Sequence, residues 1–103
     1  MRALMSVNPP PTAVFCANDL MAIGAMDVAR HMGLSVPDDL ALVGFDDIEA
    51  ATLVTPQLTT VLNPAYDAGL AAGSLLLERM TGAYRGERRT MSLPCRLIER
   101  QSA

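Results

Sequence analysis

The sequence predicts an α/β fold, a parallel sheet whose strands are joined by crossover helices. Four runs rich in strand formers, at 12–17, 40–45, 58–62 and 91–98, alternate with helical segments, and such alternation implies parallel strands on one sheet. The runs Thr12–Ala17 (TAVFCA) and Leu40–Phe45 (LALVGF) are continuously apolar, as in strands buried on both faces. Two of these runs also end alike, Ala17 leading into Asn18-Asp19 and Phe45 into Asp46-Asp47.

Each element follows from local chemistry. The opening Met-Arg-Ala-Leu-Met reads as the last turn of a helix, so the chain is expected to be a piece of a longer one. Pro9-Pro10-Pro11 excludes helix and delivers the chain to the first strand. Asp19 suits the N-cap of a helix that runs to about Met32 and is closed by Gly33. Pro37-Asp38-Asp39 supplies turn residues before the second strand. A short helical stretch from Ile48 to Leu53, capped by Asp47, is broken by Pro56, and Leu58–Leu62 (LTTVL) forms the third strand. Asn63-Pro64 reads as an N-cap followed by proline at the first helical position, opening a helix to about Met80 that Gly82 stops. Thr81 to Arg89 is a polar link, and Met91–Ile98 is a last strand that Pro94 confines to an edge.

At 103 residues the chain holds one small domain. Only 18% of residues are charged and 50% are apolar, which leaves an apolar surface for so small a domain and hints at missing partner surface. The formal net charge is −3, from eight arginines, no lysine and eleven acids, which argues against nucleic-acid binding by this segment. The cluster Arg85, Arg88 and Arg89 reads as a solvated turn. Cys16 and Cys95 lie in strand-like runs and read as small buried hydrophobes in a cytoplasmic protein, and His31 is the only histidine, so neither a disulfide framework nor a zinc site is expected. No segment has the length and apolarity of a membrane span or the layout of a signal peptide.

In an open parallel sheet, ligands bind beyond the carboxyl ends of the strands. Asn18 and Asp46 therefore become candidates on one rim, where carboxylates and carboxamides suit a polyhydroxylated ligand. Position alone leaves each open between ligand contact and turn residue, while Asp19, Asp47 and Asn63 read first as caps. Along 20–32, an apolar arc of Met21, Ala22, Ala25, Val28, Ala29 and Met32 is expected to cover the sheet. Leu20 and Ile23 fall opposite, among Asp27, Arg30 and His31, and read as an anchor for a subunit interface. The helix after Pro64 carries Ala65, Ala68, Gly69, Ala72, Gly73 and Leu76 on one side, which implies close approach of another element.

The run from Pro10 to Ala25 (PPTAVFCANDLMAIGA), together with Val36–Leu40 (VPDDL), Leu42–Asp47 (LVGFDD), Pro56–Val61 (PQLTTV) and the ending Leu97–Ser102 (LIERQS), resembles the lactose/galactose-repressor family. The resemblance covers nearly the whole chain and rests on several spaced motifs in order. It implies a periplasmic-binding-protein-like type I effector domain, of which residues 1–103 would be the C-terminal subdomain portion, in a regulator whose two subdomains close around a small molecule, commonly a sugar. It implies that Asn18 and Asp46 line the pocket and that Asn63 matches a further lining position, although the Asn-Pro pair here departs from the family pattern. It implies a homodimer through Leu20, Ile23, Leu53 and Val54, and operator DNA contacted only through an N-terminal helix-turn-helix outside this chain. In the family, the helix matching Pro64–Met80 packs on the other subdomain, so in this chain it is expected to repack or to be covered by a second copy.

The competing reading is a fragment of a periplasmic sugar-binding transport protein, which the Thr-Thr-Val and Phe-Asp-Asp motifs disfavour. An enzyme is not expected: there is no lysine for phosphoryl chemistry, no Ser/His/Asp set, no glycine-rich phosphate loop and no Cys beside a His. No cofactor is expected.

Overall fold

In the computed structural model, which describes residues 1–103, the elements follow in the order α1 (Arg2–Met5), β1 (Ala13–Phe15), α2 (Asp19–His31), β2 (Ala41–Phe45), α3 (Ala50–Leu53), β3 (Thr59–Leu62), α4 (Ala65–Met80) and β4 (Arg96–Ile98). They fall into two units. One comprises residues 1–63 and 96–103 and contains the sheet; the other comprises residues 64–95 and contains α4.

In the first unit the strands lie in the order β1-β2-β3-β4. β1 pairs with β2, and β2 with β3, in parallel, as expected. The last strand departs from expectation: β4 runs antiparallel to β3, so the sheet is mixed, and it begins only at Arg96. Pro94 has no N–H to give a ladder, which confines pairing to the residues beyond it. Three residues carry no mark of strand direction; the point at which the chain rejoins the sheet decides it.

One sheet face is packed by α2. Leu40, Leu42 and Leu58 are fully buried together with Ala22 and Ala29 of α2 and Ala51 of α3, and Cys16 and Met26 complete this core. The buried stripe of α2 is thus Ala22, Met26 and Ala29, flanked by the half-buried Ile23 and Ala25. This corrects the expected arc. Met21 and Met32 are exposed, and Ile23, expected opposite the sheet, packs on the core. Small alanines let the helix approach closely, and the contact stripe is rotated toward them. The helix ends in a Schellman arrangement, with Gly33 at φ +76°, its N–H donating to Arg30 O, and Leu34 N–H donating to Ala29 O.

Ser102 closes this unit from the far end of the chain. Fully buried, it donates from Oγ to Leu42 O (2.6 Å) and accepts from Thr59 N–H (2.8 Å), and its carbonyl accepts from Leu42 N–H (2.7 Å). These bonds tie β2 and β3 together where their ladder begins.

In the second unit, α4 buries no residue; Tyr66, Leu70, Leu76, Leu77 and Met80 are all exposed, and a shallow groove runs along Ala65, Gly69 and Gly73. Beyond α4, Gly82 at φ +75° begins a link in which Arg89 pairs with Glu78 (2.5 Å) and lies 3.9 Å from the Tyr84 ring centroid. Cys95, expected to be buried in a strand, is exposed because that strand starts after it, whereas Cys16 is buried and its thiol pKa is pushed up by burial. No helix is long and apolar enough to cross a membrane.

Candidate functional site

The parallel pairing of β1, β2 and β3 brings their carboxyl ends to one edge. Phe15 lies beside Val43, and Phe45 beside Val61, so the chain leaves the sheet at Asn18, Asp46 and Asn63 along one rim. Three sequence-selected residues thus emerge from adjacent strands on the side where open parallel sheets bind ligands.

The local chemistry assigns the caps differently from expectation and leaves Asp46 exposed on the rim. Asn18, not Asp19, is the N-cap of α2: its φ/ψ is extended (−155°, 170°) and its Oδ1 accepts from Met21 N–H at 2.8 Å. A cap needs extended backbone and an oxygen reaching the third residue on, and Asn18 supplies both one position earlier than expected. Its Nδ2 has no acceptor within the chain and remains a donor at the rim.

Asp19, freed from capping, is 0% exposed. Its Oδ1 accepts from Thr60 Oγ1 (2.5 Å) and its Oδ2 from Ile48 N–H (2.9 Å). It passes over β2 at Gly44, where an added Cβ would overlap Asp19 Oδ1 and lie 3.0 Å from Leu58 Cδ2.

Asp46 is exposed, with φ 111°, and its N–H donates to Val61 O (2.9 Å), extending the β2–β3 ladder by one bond. Asp47 follows at φ 54°. Two successive non-glycine residues at positive φ cost on the order of 1–3 kcal/mol each and persist only where surrounding contacts hold them, commonly at ligand clamps. Asp47 does not cap the helix after it; Glu49 occupies the N-cap of α3 without a side-chain bond. Asp47 Oδ1 instead accepts from Arg100 (2.6 Å), in a pair 14% and 19% exposed at the arginine and aspartate side chains. Arg100 also donates to Leu58 O (2.9 Å). The pairing neutralises Asp47 and leaves Asp46 as the outward carboxylate.

Asn63 is likewise not a cap, because Pro64 takes the N-cap place of α4 with no side-chain bond. Its Nδ2 donates to Asp46 Oδ1 at 3.2 Å. Asn63 and Asp46 thereby form one polar pair, a carboxylate with free acceptor capacity beside a carboxamide oxygen. Together with the Asn18 amide, the set offers both acceptors and donors of the kind that hydroxyl groups pair with.

Thr60, Arg100 and Gly44, which hold this rim, carry no local signal in the sequence. A buried Thr-Thr pair looks like an ordinary strand, and a partner 53 positions away, as Arg100 is from Asp47, leaves no local signal.

On the flank of the first unit, an open groove of mixed polarity is lined by apolar residues that include Ile23, Met26 and Val54 and by the charged Asp27, Arg30 and Asp38. Leu20 (69% exposed) and Leu53 (75%) are strongly exposed, while Ile23 and Val54 are half-buried against the core.

The chain matches the family described as periplasmic binding protein-like domain over residues 1–103. It is 43% identical over 102 residues to the HTH-type transcriptional repressor CytR of Escherichia coli K12, covering 99% of this chain and 30% of that protein. Among solved structures, it superposes on the transcriptional regulator CelR in complex with cellobiose with a TM-score of 0.92 at 37% identity, covering 99% of this chain and 31% of the other. A LacI-type transcription regulator from Bifidobacterium animalis subsp. lactis gives a TM-score of 0.79 at 39% identity, covering 89% of this chain and 32% of the other. The chain spans about 30% of the length of the curated relatives it matches. It belongs to the periplasmic binding protein-like domain family.

Proposed function

We propose that this chain is the ligand-sensing and dimerisation portion of a lactose-repressor-type transcription regulator that responds to a small polyhydroxylated molecule of the sugar class. The observation that carries the reading is the rim itself, where Asn18, Asp46 and Asn63 leave three adjacent parallel strands at one edge, with Asp46 outward and strained. In this reading Asp46 accepts from two ligand hydroxyls, Asn18 Nδ2 donates to a third, and Asn63 orients the Asp46 carboxylate. The cellobiose bound to the similar regulator supports a saccharide. Closure of a second subdomain over this rim would shift the population between DNA-bound and released states, with operator contact made by sequence outside these residues.

The site is read as a binding site, not a catalytic one, in keeping with relatives that are repressors, and the protein as cytoplasmic. The transport-protein alternative is not favoured, since relatives at 43% and 42% identity are transcriptional repressors. For the dimer, Leu20 and Leu53 supply the exposed anchors, and Ile23 and Val54 the wall of the adjoining groove.

The test is a thermal-shift screen of mono- and disaccharides and purine bases on the protein expressed from its complete reading frame. A hit that raises the melting temperature, and that Asp46→Ala abolishes while Asp27→Asn does not, supports the reading. Retention of the shift in Asp46→Ala refutes the site.

A further inference from the structure

Asp19 stands out among the ionisable groups: it is fully buried, it has no ion-pair partner, and the capping role its position suggests is filled by Asn18. Both its oxygens serve other elements, one Thr60 on β3 and the other Ile48 N–H, directly after the Asp46-Asp47 turn. The turn is held at each residue by a different partner. Asp46 N–H is bound by Val61 O, the Asp47 carboxylate by Arg100, and Ile48 N–H by Asp19. Two of these anchors come from the β3 side and the C-terminal segment. Only the third comes from α2, the helix whose cap is Asn18.

We propose that Asp19 is a positioning residue that sets the spacing of Asn18 and Asp46, touching no ligand itself but locking the strained turn to the N-terminus of α2. The proposal rests on the ligand-site reading above. Its physical basis is that a two-residue stretch at φ 111° and 54° relaxes unless over-determined, and the part-buried Ile48 N–H has the fully buried Asp19 carboxylate as its acceptor. Gly44 is part of the same device, since any side chain there would displace the Asp19 carboxylate from the strand. Asn at position 19 can keep the arrangement. Its carbonyl oxygen accepts from Ile48 N–H, and its amide donates to Thr60 Oγ1, whose hydroxyl can reverse direction.

The test is amide hydrogen exchange, read by NMR on the isotope-labelled chain. In Asp19→Ala, Ile48 N–H should exchange at least tenfold faster relative to Leu42 N–H, a sheet-centre amide held by Ser102 O. In Asp19→Asn that ratio should return to within about threefold of wild type. Equal acceleration at Ile48 and Leu42, as a merely structural role would give, or no acceleration at Ile48, overturns the proposal. Should Asp19→Ala not fold, Thr60→Val carries the same measurement: an Ile48-to-Leu42 ratio raised at least threefold supports positioning, and an unchanged ratio refutes it. A second arm measures cellobiose and the other saccharides on the complete protein. Binding weakened tenfold or more by Asp19→Ala and preserved by Asp19→Asn is the expected result. If Asp46→Ala abolishes binding and Asp19→Ala leaves it intact, positioning fails alone. If Asp46→Ala binds like wild type, the site reading fails, and the exchange ratio still decides whether Asp19 holds the turn.

Discussion

Gly44→Ala is the smallest change expected to strike both the core and the rim. A Cβ at position 44 would overlap Asp19 Oδ1 and lie 3.0 Å from Leu58 Cδ2 and 3.2 Å from the Asp19 Cα. The last two atoms belong to a fully buried leucine and to helix backbone, so neither can simply swing aside. Overpacking of this kind costs about 1–3 kcal/mol. Displacing the carboxylate also loosens its bonds to Ile48 N–H and Thr60 Oγ1, and an unsatisfied buried donor costs about 1–3 kcal/mol. Against this, alanine in a strand recovers only about 0.5–1 kcal/mol of the entropy that glycine loses on folding. The clash wins, with a net loss of about 1–5 kcal/mol. At ~4–8 °C per kcal/mol for a domain of this size, the melting temperature should fall by at least ~4 °C in far-UV circular dichroism. Adding Asp19→Ala should cost less than the sum of the two single changes, because both lose the same bonds. A Gly44→Ala protein within ~0.5 kcal/mol of wild type would refute the reasoning, because it would mean that α2 does not lie against β2 at this point.

Arg100→Ala should lower stability by about 2–4 kcal/mol in urea, since it strands a mostly buried Asp47 carboxylate and leaves Leu58 O unpaired; Arg100→Lys should recover only part, because an ammonium lacks the fork that reaches both acceptors. Ser102→Ala should cost about 1–3 kcal/mol by the same assay through the orphaned Thr59 N–H, although it lies one residue from the chain end. Asp27→Asn, which breaks an ion pair exposed at 54% and 79% of its two side chains, should shift the urea midpoint by less than ~0.5 kcal/mol equivalent. Under native conditions Cys95 should react with a thiol reagent while Cys16 does not, because burial both shields the Cys16 thiol and disfavours its thiolate; mass spectrometry showing equal labelling would contradict this.

What the amino-acid order determined is whatever acts over a few residues. Continuous apolar runs marked β1 and β2, Gly33 and Gly82 marked the ends of α2 and α4, and Pro94 kept the last strand to an edge. Asn18 and Asp46 were legible as rim candidates for the same reason, since a strand that ends in a polar pair and is followed by a helix announces its carboxyl edge; Asn63, followed by Pro64, reads locally as a cap and reaches the rim only through the family resemblance. Tertiary structure decided the partners. Asn18 and Asp19 are adjacent and chemically alike as caps, and only the presence of Thr60, 41 positions on, and of Ile48 draws Asp19 inward and leaves the cap to Asn18. Asp47 turns from cap to ion pair because Arg100 arrives from the end of the chain, and β4 takes its antiparallel direction from where the chain rejoins the sheet. A hydrogen bond or ion pair carries no record of sequence distance, so pairings that span more than 40 residues leave no periodicity to read.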